Sequence, residues 1–177
     1  VIMSQNTMVY AGDTAGEGIL EKGTQKRALL TVVMPVYNEV STVNQVIERV
    51  LDLGLDVELI VVDDGSTDGT RQTLSAWDDE RVRVILHEHN QGKGAAVRTG
   101  YQYATGEIVT IQDADLELNP AEIPSLIQPI IDGTADVVYG SRFVHGWNHR
   151  SALNAFANRF LSGLTNVLYG TNIRDME

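Results

Sequence analysis

The chain has no cysteine among its 177 residues, so disulfides, thiolate zinc centres and cysteine nucleophiles are excluded. Redox compartment stays open on that evidence. Positive charge is also scarce: 13 Lys and Arg stand against 24 Asp and Glu, a formal net charge of −11. Such a chain is a poor general binder of nucleic acid or anionic membrane, both of which attract basic faces. A phosphate ligand would need a divalent cation or a few well-placed Lys and Arg to offset the repulsion. No apolar run approaches the ~18 residues that span a bilayer. The first residues lack a basic stretch followed by an apolar one, so no secretory signal is read there. The expectation is a soluble, cytoplasmic protein.

What is present fits one ordinary domain, because a chain of this length buries about two-thirds of the surface it exposes when unfolded. Residues 1–28, rich in Gly, Thr and Gln without a sustained period, read as a flexible N-terminal extension. From residue 29 the pattern changes. Short apolar runs at Leu29–Met34, Val57–Val62, Val82–Leu86, Glu107–Gln112 and Asp136–Tyr139 read as buried strands, the first stopped by Pro35. Helical spacing fills Ser41–Leu53, Asp68–Trp77, Gly92–Ala104, Pro120–Ile131 and Ser151–Leu168. The apolar face of the last of these, Leu153 to Leu168, is expected to pack in a core rather than on a membrane. This alternation, with no NG or DG hairpin between strands, predicts an α/β fold with a mostly parallel sheet and helices on both faces. The chain stops at Asp175-Met176-Glu177 without a polar taper, and is expected to be truncated on that side.

Ligands of open parallel α/β sheets bind beyond the carboxyl ends of the strands. Polar residues follow every run: Tyr37, Asn38 and Glu39; Asp63, Asp64 and Ser66; Asn90, Gly92 and Lys93; Asp113, Asp115 and Glu117; Ser141 and Arg142. In extended chain Asp113, Asp115 and Glu117 would point the same way. Three like charges side by side call for a cation, and oxygen-only ligands favour Mg²⁺ or Mn²⁺. The segment from Asp64 is not an EF-hand, because Ser75 falls where a chelating glutamate belongs. NQGKG lacks the upstream glycine and the Ser or Thr of a Walker motif, yet a helix start at Gly92 and Lys93 suits an anion. His87, His89, His145 and His149 read as surface or loop residues, and Ser66 and Ser141 lack a hydrolase elbow.

TVVMPVYNE, VELIVVDDGSTDGT, HNQGKGAAVRTG, IQDADLELNP and DVVYGSRF, in that order, resemble the family-2 glycosyltransferases with the Rossmann-like GT-A fold. Within them the similarity is to the dolichol- and polyprenyl-phosphate mannosyl- and glucosyltransferases. The resemblance implies a GT-A domain over residues 29–177. It places Pro35, Tyr37, Glu39 and Val62 at the nucleotide-sugar pocket, with Asp64 on the base or ribose. Lys93, Ala114 and the metal-gripping pair Asp113 and Asp115 complete that pocket, and Glu117 joins the metal site. Ser141 and Arg142, helped by Arg150 and Arg159, would face an acceptor phosphate, and Asp113, Asp115 and Arg142 would carry catalysis.

The implied activity is metal-dependent, inverting transfer of a sugar from a UDP-glucose-like or GDP-mannose-like donor to a polyprenyl phosphate, in cell-envelope glycan synthesis. The implied cofactor is Mg²⁺ or Mn²⁺. The lipid acceptor implies a peripheral place at the inner face of a membrane; no nucleic acid partner is expected, and homo-oligomerisation is left open. Two alternatives stand beside it, transfer to a sugar hydroxyl with the base lying beyond this chain, and a non-catalytic nucleotide-sugar-binding module.

Overall fold

The computed structural model describes residues 2–4 and 29–140. Its strands are β1 (Ile2–Ser4), β2 (Leu30–Val36), β3 (Val57–Asp63), β4 (Val82–Leu86), β5 (Ile108–Ile111) and β6 (Val137–Val138). The helices are α1 (Val43–Leu51), α2 (Thr70–Ser75), α3 (Lys93–Tyr103) and α4 (Ile123–Ile131). The strands form one sheet in the order β4-β3-β2-β5-β1-β6, with β4, β3, β2 and β5 mutually parallel and β1 antiparallel to both its neighbours. The chain divides into compact units at 1–139 and 140–177, so the expected domain over 29–177 spans parts of both.

Both sheet faces are covered, and this is why the central strands are apolar without alternation. Val32, Met34, Val36, Leu59 and Val61 share a core with Val43, Val46, Ile47 and Val50 of α1, Leu74 of α2 and Ile123 and Ile127 of α4. The α1 set recurs at i, i+3, i+4 and i+7, one stripe of a helix. Ile60 and Val62 point the other way, onto Ala96 of α3. Gly100, one turn beyond Ala96, lets α3 lie so close that a Cβ there would strike the Val33 side chain.

The walk β2–α1–β3–α2–β4 runs outward along the sheet, and α3 then returns the chain to β5 on the other side of β2. The strand order therefore reverses between β2 and β5, which is where such sheets open a crevice. Pro35 lies inside β2 rather than ending it. Val33 turns its polar groups toward β5, its carbonyl accepting from the Gln112 N–H at 3.0 Å. Pro35 has the same parity but lies past the last β2–β5 pair, Val33↔Ile111, so its missing N–H forfeits no ladder bond.

Two other expectations change. Ile2–Ser4, read as part of a flexible extension, forms a strand between β5 and β6. The helix expected from Pro120 opens as a 3-10 turn over Pro120–Glu122 before α4 begins. Pro124 has no N–H to return to the Pro120 carbonyl, so the first turn cannot be α-helical there. The helix expected at Ser151–Leu168 lies outside the described residues.

Candidate functional site

A cavity of about 270 Å³ opens at the carboxyl ends of β2, β3 and β5 and the N-terminus of α3. Pro35, Val36, Tyr37 and Glu39 line it from the end of β2, and Asp64 from the end of β3. Asn90, Lys93 and Ala96 close the α3 side, and Asp113, Ala114 and Asp115 the β5 side. Its walls are set by two interlocked loops. The Asn38 N–H donates to Ser66 Oγ at 2.9 Å while Asn38 Oδ1 accepts from the Thr67 N–H at 2.9 Å. The Glu39 N–H donates to Thr70 Oγ1 at 2.9 Å, and the Val40 N–H to Asp68 Oδ2 at 3.2 Å. Asn38 adopts a φ of 57°, a left-handed value that asparagine tolerates better than most residues.

Asp64 is the best-tied group in the site. It is 3% exposed. Its Oδ1 accepts from the Gln91 N–H at 3.0 Å and meets His87 Nδ1 at 2.7 Å, and its Oδ2 accepts from the Gly92 N–H at 2.7 Å. Burial alone would raise its pKa, but the Gln91 N–H, the His87 ring and the Gly92 N–H together hold the carboxyl below its ordinary value. Asp63, one residue earlier, faces the opposite way by strand alternation. It is fully buried, its Oδ2 taking the Ser66 N–H at 3.2 Å and Arg71 Nε at 2.7 Å, and it does not line the cavity. Gly65 follows with a φ of 79°, and a Cβ there would lie 2.5 Å from the Asn90 N. Only glycine lets the loop after β3 pass so close under the loop after β4.

The acidic loop after β5 is not extended. Leu116 has a φ of 64°, and the Glu117 N–H folds back to Asp115 Oδ1 at 3.0 Å. Period-two alternation therefore fails at Leu116, and Glu117 does not line the cavity. Among the described residues no three Asp, Glu or His side chains converge as a metal site. Asp113 and Asp115 remain as a pair. Lys93 Nζ rests on Asp113, 2.7 Å from Oδ1 and 2.8 Å from Oδ2, so a cation is accommodated against that carboxylate. Two carboxylates supplying only oxygen are the donor type that suits a hard divalent ion. Lys93 is the one cationic side chain lining the cavity among the described residues.

A profile described as "Glycosyl transferase family 2" matches residues 31–174. The chain belongs to that family. A dolichol-phosphate mannosyltransferase of Pyrococcus furiosus is 35% identical over 120 residues, 66% of this chain and 34% of that protein. An undecaprenyl-phosphate 4-deoxy-4-formamido-L-arabinose transferase of Pectobacterium carotovorum is 39% identical over 111 residues, 59% of this chain and 34% of the relative. The family-2 chain thus spans about a third of the length of these relatives. Among solved structures, glucosyl-3-phosphoglycerate synthase from Mycobacterium tuberculosis, in complex with Mn²⁺, UDP-glucose and phosphoglyceric acid, superposes with a TM-score of 0.58. That match is 27% identical and covers 82% of this chain and 51% of the other. It places the sheet of this family-2 chain among GT-A-like folds.

The residues expected at the nucleotide-sugar pocket gather in this family-2 cavity with one exception. Val62 is fully buried between β3 and α3 and does not reach the cavity. Ser141, Arg142, Arg150 and Arg159, with His145 and His149, lie outside the described residues. His89 is exposed as expected, but His87 is 9% exposed and sits between Asp64 and Thr99. Sequence reading missed His87 and also Arg71, whose guanidinium joins Asp63 to the His87 carbonyl. Neither carries a motif signature. Their partners are supplied by other strands.

Proposed function

We propose that this chain forms the donor-binding part of a metal-dependent, inverting glycosyltransferase that moves a sugar from a nucleoside diphosphate to a polyprenyl phosphate. The observation that carries the reading is one cavity at the sheet's switch point that brings Asp64, Lys93, Asp113 and Asp115 together. The Pyrococcus and Pectobacterium relatives, named for dolichol- and undecaprenyl-phosphate transfer, support the acceptor class.

Asp64 offers a carboxylate oxygen to the base or ribose, with Pro35, Tyr37 and Glu39 walling the nucleoside. Asp113 and Asp115 would hold Mg²⁺ or Mn²⁺, which when bound supplies positive charge to the departing diphosphate. Lys93, at the start of α3, adds a cation beside the diphosphate at a helix N-terminus. The bond from the anomeric carbon to the diphosphate breaks as an acceptor phosphate oxygen attacks from the opposite face, inverting that carbon. A phosphate is already ionised at neutral pH, so no residue need take its proton. Ser141 and Arg142, with Arg150 and Arg159, are proposed to hold that phosphate.

A second reading keeps the donor and changes the acceptor to a small phosphorylated hydroxyl compound. The Mycobacterium structure with phosphoglyceric acid favours it. Incubation with radiolabelled UDP-glucose or GDP-mannose and Mn²⁺, against a short polyprenyl phosphate or 3-phosphoglycerate, separates the two. The first reading expects label in the lipid. Label in phosphoglycerate alone would replace it with the second.

A further inference from the structure

His87 does not line the cavity, yet its contacts tie it to the residue that does. It follows the end of β4, where its backbone N–H donates to the Asp63 carbonyl at 2.9 Å and its own carbonyl accepts from Arg71 Nη2. The backbone is held on both sides. Its ring spans from Asp64 Oδ1 at 2.7 Å from Nδ1 to Thr99 Oγ1 at 3.0 Å from Nε2. A neutral ring with its proton on Nδ1 satisfies both ends, donating to the carboxylate and accepting from the hydroxyl. A carboxylate has about four acceptor positions. On Asp64, His87 and Gln91 occupy Oδ1 and Gly92 occupies one side of Oδ2, so the position left for a ligand is on Oδ2.

We propose that His87 is a positioning residue for the donor nucleoside. Its ring fixes the rotation of the Asp64 carboxylate, leaves Oδ2 for the ligand, and through the Gln91 and Gly92 amides sets the turn that delivers Lys93 to the cavity. The proposal rests on reading the cavity as the donor pocket. A group that merely filled core space would be replaceable by any side chain of similar volume. A positioning group is replaceable only by one that donates from the Nδ1 position.

Asparagine and glutamine separate these cases, because an asparagine amide ends where Nδ1 lies and a glutamine amide ends near Nε2. In the ligand-free 177-residue protein, His87→Gln should speed hydrogen exchange at the Gln91 and Gly92 amides about tenfold, the loss of one charge-assisted bond. It should weaken calorimetric binding of UDP or GDP in Mn²⁺ by a similar factor. His87→Asn should stay within about threefold of wild type on both readouts, since the donor to Asp64 is kept. Mn²⁺ affinity without nucleotide should stay within about fivefold of wild type in both variants, the most that a displaced Lys93 can change at its exposed ion pair with Asp113. Nitrogen chemical shifts of His87 in the wild-type protein give a check that needs no variant. Protonated Nδ1 and bare Nε2 are expected, and the reverse would overturn the proposal. Unchanged exchange and unchanged nucleotide affinity in His87→Gln would also overturn it, leaving the donor reading intact. Wild-type protein that takes up neither UDP nor GDP would overturn the donor reading and this proposal with it.

Discussion

Replacing Asp64 by asparagine keeps its size and removes its charge. Three N–H donors converge on the carboxylate, from Gln91, Gly92 and the His87 ring. An asparagine offers one carbonyl, so whichever way the amide lies, its NH₂ faces an N–H donor. The least harmful rotamer keeps the Oδ1 pair as neutral bonds and leaves the Gly92 N–H opposed. Losing one charge-assisted bond and weakening two others amounts to about 2–3 kcal/mol for a site this buried. That corresponds to a fall in Tm of roughly 5–10 °C for a domain of this size. The wild-type carboxyl has a lowered pKa, so its contribution is present above the ordinary carboxylate range and is lost as pH falls through the folded value. Urea unfolding at about pH 7 and again at about pH 3 should therefore show the gap between wild type and Asp64→Asn narrowing in acid. A variant as stable as wild type at neutral pH, with Gln91 and Gly92 still protected from exchange, would show that the Asp64 charge does not hold this loop.

Lys93→Met removes an ammonium from an exposed ion pair, worth up to about 1 kcal/mol. Calorimetric Mn²⁺ affinity without nucleotide should then rise no more than about fivefold, while UDP affinity in Mn²⁺ falls. Asp115→Asn alters an exposed side chain and should change stability by less than about 0.5 kcal/mol, yet weaken UDP binding in Mn²⁺; equal binding in EDTA would remove the metal assignment. Gly65→Ala places a Cβ against the Asn90 backbone at a φ of 79° and should destabilise the protein by about 2 kcal/mol, read by urea unfolding.

The fold was legible in the sequence where burial is continuous. β2 through β5 and α1 and α3 follow from apolar runs and helical spacing, with ends displaced by a residue or two. The cavity was legible for a topological reason, because residues just past the strands of a parallel sheet share one edge. What escaped depends on distant partners. Ile2–Ser4 is a three-residue strand whose pairing is decided by Ile108, Val109 and Thr110 of β5, 104 to 108 positions along the chain. His87 looked like any loop histidine, because Asp64 and Thr99 reach it from β3 and α3. Glu117 was placed by assuming extended chain, and the left-handed turn at Leu116 breaks that assumption.

In the proposed donor site, Asp113 and Asp115 hold a divalent cation beside a nucleoside diphosphate in the cavity at the β2–β5 switch point. Paramagnetic broadening of amide signals by Mn²⁺, with and without UDP, locates that cation directly. Broadening should centre on Ala114 and Asp115, extend to Gln91, Gly92 and Lys93, and sharpen in titration when UDP is present. Broadening centred instead on the acidic turn at Asp78, Asp79 and Glu80, and indifferent to UDP, would remove the metal from Asp113 and Asp115.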